Sequence, residues 1–286
     1  MTTLAVGLVL LSALLHAIWN YVAKKAHNDT AFVWLLSTME VLLFFPIVLV
    51  VVLLEQHTVG WLGVLFMAVA GCLHVAYFLL LGKGYQVGDL SIVYPLARGI
   101  GPLIATVAAI AVFDERPTLL AMFGSVLICG GVFWLTGDPR RLRSSDALPG
   151  VAFATLTGIA IAGYTLWDSY AVGQLLLPVI LYQWGLAVFR ALLLVPMAFR
   201  NRAHVQESWS RDKWKAAFIG FVSPVSYALM LAAFVISPVS YAAPLRTVST
   251  LMGVALGTRL LKEGNTFGRL SAAAVMVLGV IALSFG

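Results

Sequence analysis

Five formally charged side chains stand inside long apolar runs of this sequence: Glu40, Arg98, Asp168, Arg190 and Arg246. A charge at the centre of a bilayer costs roughly 2.5–3.5 kcal/mol on insertion scales, so each of the five demands a partner or a watery cavity. The simplest pairing joins Glu40 with Arg190 as a structural ion pair that fixes helix packing. Asp168 can then neutralise one of the other two arginines, which leaves about one guanidinium uncompensated. Arg98 and Arg246 follow Pro95 and Pro244 closely and lie roughly 10–14 Å into their runs at about 1.5 Å per residue. A bare guanidinium at that depth suits a carboxylate or phosphate, because its planar fork donates in pairs. Two rival readings stand beside this one. Both arginines bond carbonyls freed by the prolines or snorkel to an interface, or the site is a cation site made by Asp168 and Glu40.

Other side chains extend the same layer. His16 lies one turn before Trp19 and Asn20, and imidazole titrates near neutral pH, which makes it the candidate for proton coupling; a histidine bonded to a neighbouring helix is the plainer reading. Among many aromatics, Trp19, Tyr94 and Trp167 are the candidates for a cavity wall, with flat apolar area and a polar handle. The substrate-contacting set is thus Arg98, Arg246, Asp168, Trp19, Asn20, Tyr94 and Trp167. Pro95, Gly99 and Pro244 are expected to loosen their helices, as a gate or as simple kinks. Glu115 and Glu263 read as helix caps.

Several chemistries are excluded. Cys72 and Cys129 sit singly in apolar runs, with no metal-ligand spacing. The Gly-Lys-Gly at 82–84 lacks the rest of a phosphate loop, and no hydrolase or metalloprotease motif occurs, so no catalytic residue, cofactor or metal is expected. The net charge of +6 is scattered over short loops rather than gathered on a face, which argues against nucleic acid.

The elements that position these residues follow from composition. Of 286 residues 61% are hydrophobic and 10% charged, far from the roughly 45–50% and 25% of a soluble domain. Apolar runs fall at about 3–23, 30–54, 60–82, 89–113, 118–136, 148–172, 177–199, 213–236, 239–261 and 266–285, which predicts an all-α integral membrane protein of ten spans. The least marked break is Asp114-Glu115-Arg116-Pro117, between the fourth and fifth. The polar stretches 138–147 and 200–213 are too short to fold alone.

The chain repeats. Trp19-Asn20 matches Trp167-Asp168 at 148 residues, Glu40 matches Arg190 and Tyr77 matches Tyr227 at 150, Pro95 matches Pro244 at 149, and Arg98 matches Arg246 at 148. Residues 1–137 therefore form one five-helix repeat, 138–147 a basic linker and 148–286 the second repeat. Five is odd, so the second repeat is expected upside down around a central cavity, as in many secondary transporters. Basic residues crowd the loops after odd-numbered spans, such as Lys24, Lys83, Arg140 and Arg211, while the even loops and termini hold only Arg116. The positive-inside rule then puts both termini outside.

Two five-helix halves, a Trp plus polar pair opening each, and a helix with Pro-Leu then Glu before a Gly-rich helix make the chain resemble the EamA group of the drug/metabolite transporter superfamily. The clearest stretch runs from Tyr77 to Leu135. The resemblance implies helices 1–4 and 6–9 around a cavity, helices 5 and 10 outside, and small metabolites moved by alternating access. Arg190 matches the basic residue often found in the family's second helix; Glu40 departs from it. The expectation is a non-enzymatic carrier of a small anionic or zwitterionic metabolite, in a bacterial inner membrane. The alternatives are a cation exporter, a lipid-phosphate enzyme and a non-transporting receptor. The small-residue faces at Gly124, Gly130-Gly131 and Gly253/Gly257 permit packing within the bundle or between protomers of a homodimer, and the sequence does not choose.

Overall fold

A computed structural model describes residues 1–24, 26, 29–55, 59–88, 90–134, 147–252 and 266–286. Ten helices follow one another: α1 (Thr3–Lys24), α2 (Thr30–Glu55), α3 (Trp61–Val87), α4 (Leu90–Phe113), α5 (Leu119–Trp134), α6 (Leu148–Gly173), α7 (Val179–Arg200), α8 (Arg202–Ile236), α9 (Val239–Arg246) and α10 (Thr266–Phe285). Seven of them, α1–α4 and α6–α8, are long and apolar enough to cross a membrane, and α5 and α10 hold shorter apolar stretches. Helix is what such a composition must form in lipid, where every backbone polar group has to be satisfied within its own segment.

Large apolar side chains point outward, among them Leu42, Phe45, Leu49 and Leu53 on α2 and Leu119, Phe123 and Val126 on α5, while small residues such as Ala5, Val9, Ala13 and Ala17 of α1 are buried. That distribution suits a bundle solvated by hydrocarbon, in which helix contacts rely on close packing rather than on hiding apolar area from water.

The helix pairing is itself two-fold. Exchanging the first five helices for the last five maps α1 on α8 to α6 on α3, α2 on α8 to α7 on α3, and α4 on α6 to α9 on α1. The pairs α2 with α7, α4 with α9 and α5 with α10 map onto themselves. At the α1–α8 contact, Ser12 and Ser226 each donate a hydroxyl hydrogen bond to the other's carbonyl, at 2.7 and 2.8 Å. At α4–α6, a Cβ added to Gly101 would come 2.7 Å from Ile161, and one on Gly158 would come 2.7 Å from Ile100. At α5–α10, a Cβ on Gly124 would lie 2.7 Å from the Gly279 carbonyl and one on Gly131 would lie 2.4 Å from Met276, whereas Gly130 faces open space.

Three local features differ from the sequence reading. Residues 202–213, expected as a polar connection, are helical and continuous with α8, whose 35 residues span about 52 Å against a hydrocarbon core of about 30 Å. No glycine or proline lies between Arg202 and Ile219, and ion pairs along the helix, Glu207 with Arg211 and Asp212 with Lys215, support those first turns. The fourth helix, expected to loosen, runs unbroken through both Pro95 and Pro102. Pro95 is only the sixth residue of α4, where few backbone bonds can be lost, and the Gly101–Gly158 contact braces the helix beyond it. By contrast α9 stops at Arg246, and Thr247 sits in a turn before helix resumes at 248–252. Gly253, Gly257, Glu263 and linker residues 138–146 lie outside the described residues.

The turn between α4 and α5 is present at residues 114–118, with Asp114 at φ 52°. Glu115 lies in it and caps α9: its two carboxylate oxygens each accept a 2.8 Å bond, from the backbone N–H groups of Val239 and Ser240. A carboxylate at a helix N-terminus satisfies orphan donors and complements the helix dipole.

Candidate functional site

The two proline-bearing helices α4 and α9 bring Arg98 and Arg246 to one cavity. Its wall is completed by α6 with Tyr164 and Thr165 and by α8 with Met230 and Phe234. About 30 Å³ of it is open to the centre of a water molecule, against the roughly 10–15 Å³ that one water needs. The space takes about two waters or a small polar group.

Neither guanidinium has a carboxylate within ion-pair distance among the described residues. Arg98 donates to the Tyr77 hydroxyl at 2.8 Å and sits 5.5 Å from the Tyr94 ring centre. Arg246 lies 4.9 Å from the Tyr227 ring centre, and its Nε is buried with no hydrogen-bond partner. Aromatic faces hold both cations through their ring quadrupoles and leave N–H groups to spare.

Asp168, 0% exposed, is not paired with either arginine. Its Oδ1 accepts from the Tyr182 hydroxyl at 2.6 Å; its Oδ2 accepts from the Tyr227 hydroxyl and lies 3.0 Å from His74 Nε2. Three helices, α3, α7 and α8, thus supply its partners. Tyr164 stacks on His74 at 4.4 Å between ring centres and meets Tyr77 and Tyr227 edge to face at 5.7 and 6.3 Å. Sequence reasoning missed His74 and Tyr182. His74 stands one turn before Tyr77, on the helix face that the Tyr77–Tyr227 repeat match already marked.

Glu40 and Arg190 do meet. They form an ion pair at the α2–α7 crossing, 2% and 6% exposed. Gln183 donates to the other Glu40 oxygen at 2.7 Å, and Arg190 Nε donates to the Ser37 hydroxyl at 2.8 Å. Gln183 and Ser37 carry no charge and gave no signal in the sequence.

The remaining candidates lie off the cavity. Trp167 stacks on Phe66 at 4.2 Å and donates to its carbonyl at 3.0 Å. Asn20 donates its amide to the His16 carbonyl at 2.7 Å. Trp19 packs in a separate apolar cluster with Phe32, Leu35 and Ile219. His16 is buried edge-on to Trp19 at 4.8 Å, and both its ring nitrogens lack partners. Gly99 lets α4 approach the Phe133 ring, which a Cβ there would meet at 2.9 Å. Pro95 and Pro244 are both buried. Among the described residues, no three of His, Cys, Asp and Glu come together as ligands for a metal.

Comparison with known proteins agrees with this architecture. A search of curated proteins finds no match to the chain. A solved structure described only as "Crystal structure of protein" superposes with a TM-score of 0.77 at 13% identity, over 100% of this chain and 98% of that one, which shows a shared fold. The sequence profile of the EamA-like transporter family matches twice, over residues 3–137 and 148–285.

Proposed function

Because the chain belongs to the EamA-like transporter family, a multi-pass membrane protein family, we propose that it carries a small organic anion or zwitterion, of the carboxylate or amino-acid class, by alternating access. One observation carries this reading: two guanidiniums without carboxylate partners among the described residues line a single cavity walled by α4, α6, α8 and α9. Buried arginines require a counter-charge, and the bidentate fork matches a carboxylate. The rival cation site is the less favoured reading, since both oxygens of Asp168 already accept from Tyr182 and Tyr227, with His74 beside them, and both oxygens of Glu40 from Arg190 and Gln183.

In this reading α9, the segment after it and the shorter α5 and α10 complete ten crossings, with the second half inverted and both termini outside an inner membrane. The two-fold helix pairing and the loop charges support that topology. Rocking of one half against the other opens the cavity to each side in turn.

The test is the thermal stability of purified protein against anionic, zwitterionic and cationic metabolites, in wild type and Arg246→Ala. A ligand present at about 100 times its Kd stabilises the folded state by about 2.7 kcal/mol. Stabilisation by anions or zwitterions that vanishes in the variant supports the arginine site. Stabilisation by cations that survives the substitution overturns it and moves the site to Asp168 and Glu40.

A further inference from the structure

We infer that His74 and Asp168 form a proton-binding site that couples transport to a proton gradient, so that the load is an organic anion together with a proton; this rests on the anion site proposed above. Among the buried groups, Glu40 and Arg190 neutralise each other, and arginine keeps its proton in proteins. His16 has no hydrogen-bond partner at either ring nitrogen among the described residues, so nothing bonded to it there stabilises an imidazolium. His74 and Asp168 differ. They share a 3.0 Å contact, and the carboxylate is wholly buried with no arginine bound.

The 3.0 Å contact lets the pair hold one proton between its two groups. With one proton between imidazole and carboxylate it is neutral overall, and without that proton it carries one negative charge. The Tyr182 and Tyr227 hydroxyls bond the two carboxylate oxygens, so the charged form is solvated by fixed donors and the change needs no heavy-atom rearrangement.

The pair is one side chain away from the cavity. Tyr227 donates to Asp168 and presents its ring to Arg246; Tyr164 covers His74 and lines the cavity itself. The charged and titratable groups around the pair are Tyr77 on α3, Tyr94 and Arg98 on α4, Tyr164 on α6, Tyr182 and Arg190 on α7, Tyr227 on α8 and Arg246 on α9, with Glu40 of α2 held by Arg190. The negative form of the pair offsets the two cavity arginines and so competes with an incoming anion. Proton uptake removes that competitor. Anion and proton therefore bind together, and by linkage each favours the other.

Two measurements test this. Infrared difference spectra of ligand-free protein in lipid nanodiscs, taken between about pH 5 and about pH 9 to bracket histidine titration, are expected to show a carboxylic-acid C=O band that Asp168→Asn abolishes and His74→Gln displaces. A wild type without that band, or the same band in both variants, overturns the assignment. Succinate and L-glutamate are then added to wild-type protein in weakly buffered solution with an indicator dye. The expected result is uptake of up to one proton per protein, with an apparent Kd that weakens toward tenfold per pH unit, a dependence that flattens in both variants. Anion binding without proton uptake overturns the coupling. If neither anion stabilises the protein, the anion site falls instead, and the infrared result alone decides the proton site.

Discussion

Equivalent charged positions of the two repeats come together at two of the three self-paired crossings, and the molecule resolves them in opposite ways. At the α2–α7 crossing the paired positions carry opposite charges, Glu40 and Arg190, and Ser37 and Gln183 add a hydrogen bond to each. At the α4–α9 crossing the paired positions carry the same charge, Arg98 and Arg246, beside a cavity and against aromatic rings. A two-fold arrangement of helices thus supplies one junction that is electrically complete and one that is not. The complete junction joins the halves through an ion pair; the incomplete one is where the proposed anion would bind. Duplication placed both junctions, and a single difference of sign separates their uses.

The largest expected effect tests the complete junction. Glu40→Gln leaves Arg190 buried without its counter-ion and is expected to cost about 3–5 kcal/mol of stability, read as a lower thermal unfolding midpoint or lost expression. Exchanging the pair, Glu40→Arg with Arg190→Glu, is expected to recover most of that loss. A mild effect of the single substitution would make the two junctions alike.

Next comes the incomplete junction. Arg246→Leu removes one of two like charges and keeps apolar volume, so the unliganded protein is expected to stay within about 1 kcal/mol of wild type, while stabilisation by anions disappears. A loss as large as that of Glu40→Gln would show that Arg246 is a strut. The smallest effect sharpens the contrast between α4 and α9. Glu115→Gln weakens the cap on α9 and is expected to cost about 1 kcal/mol, with faster hydrogen exchange at the amides of Val239 and Ser240 and no change in those of α4.

The two helices diverge just beyond their arginines. Thr247 of α9 occupies the place of Gly99 in α4. Its hydroxyl donates to the Ala243 carbonyl at 3.3 Å, and its N–H takes the Pro244 carbonyl at 3.0 Å in a tighter turn, a back-bonding pattern that bends helices. Gly99, without a side chain, instead lets α4 lie flat on Phe133 and stay straight. Equivalent prolines do not distinguish the two helices; the residue just after each arginine does.

That explains why the sequence was readable in some places and not in others. Formal charges in apolar runs stand out because their burial is expensive, and the repeat tells which of them are equivalent, so Glu40, Arg98, Asp168, Arg190 and Arg246 were legible. The partners of Asp168 were not: Tyr182, Tyr227 and His74 come from three helices with no common spacing, and neutral donors cost little to bury when bonded. Trp167 and Asn20 were misplaced because a helix facing the cavity has other faces, and each side chain serves its own neighbourhood. The start of α8 reads as a connection by its polar composition, although no glycine or proline interrupts residues 202–219.

That long helix has a mechanical consequence. Trp214, 79% exposed, stands toward one end of α8, Pro224 lies ten residues on, and Tyr227, bonded to Asp168, follows within one further turn. A stiff rod with one soft joint is a lever. One rod thus joins an exposed tryptophan to the tyrosine that touches both a buried acid and an arginine.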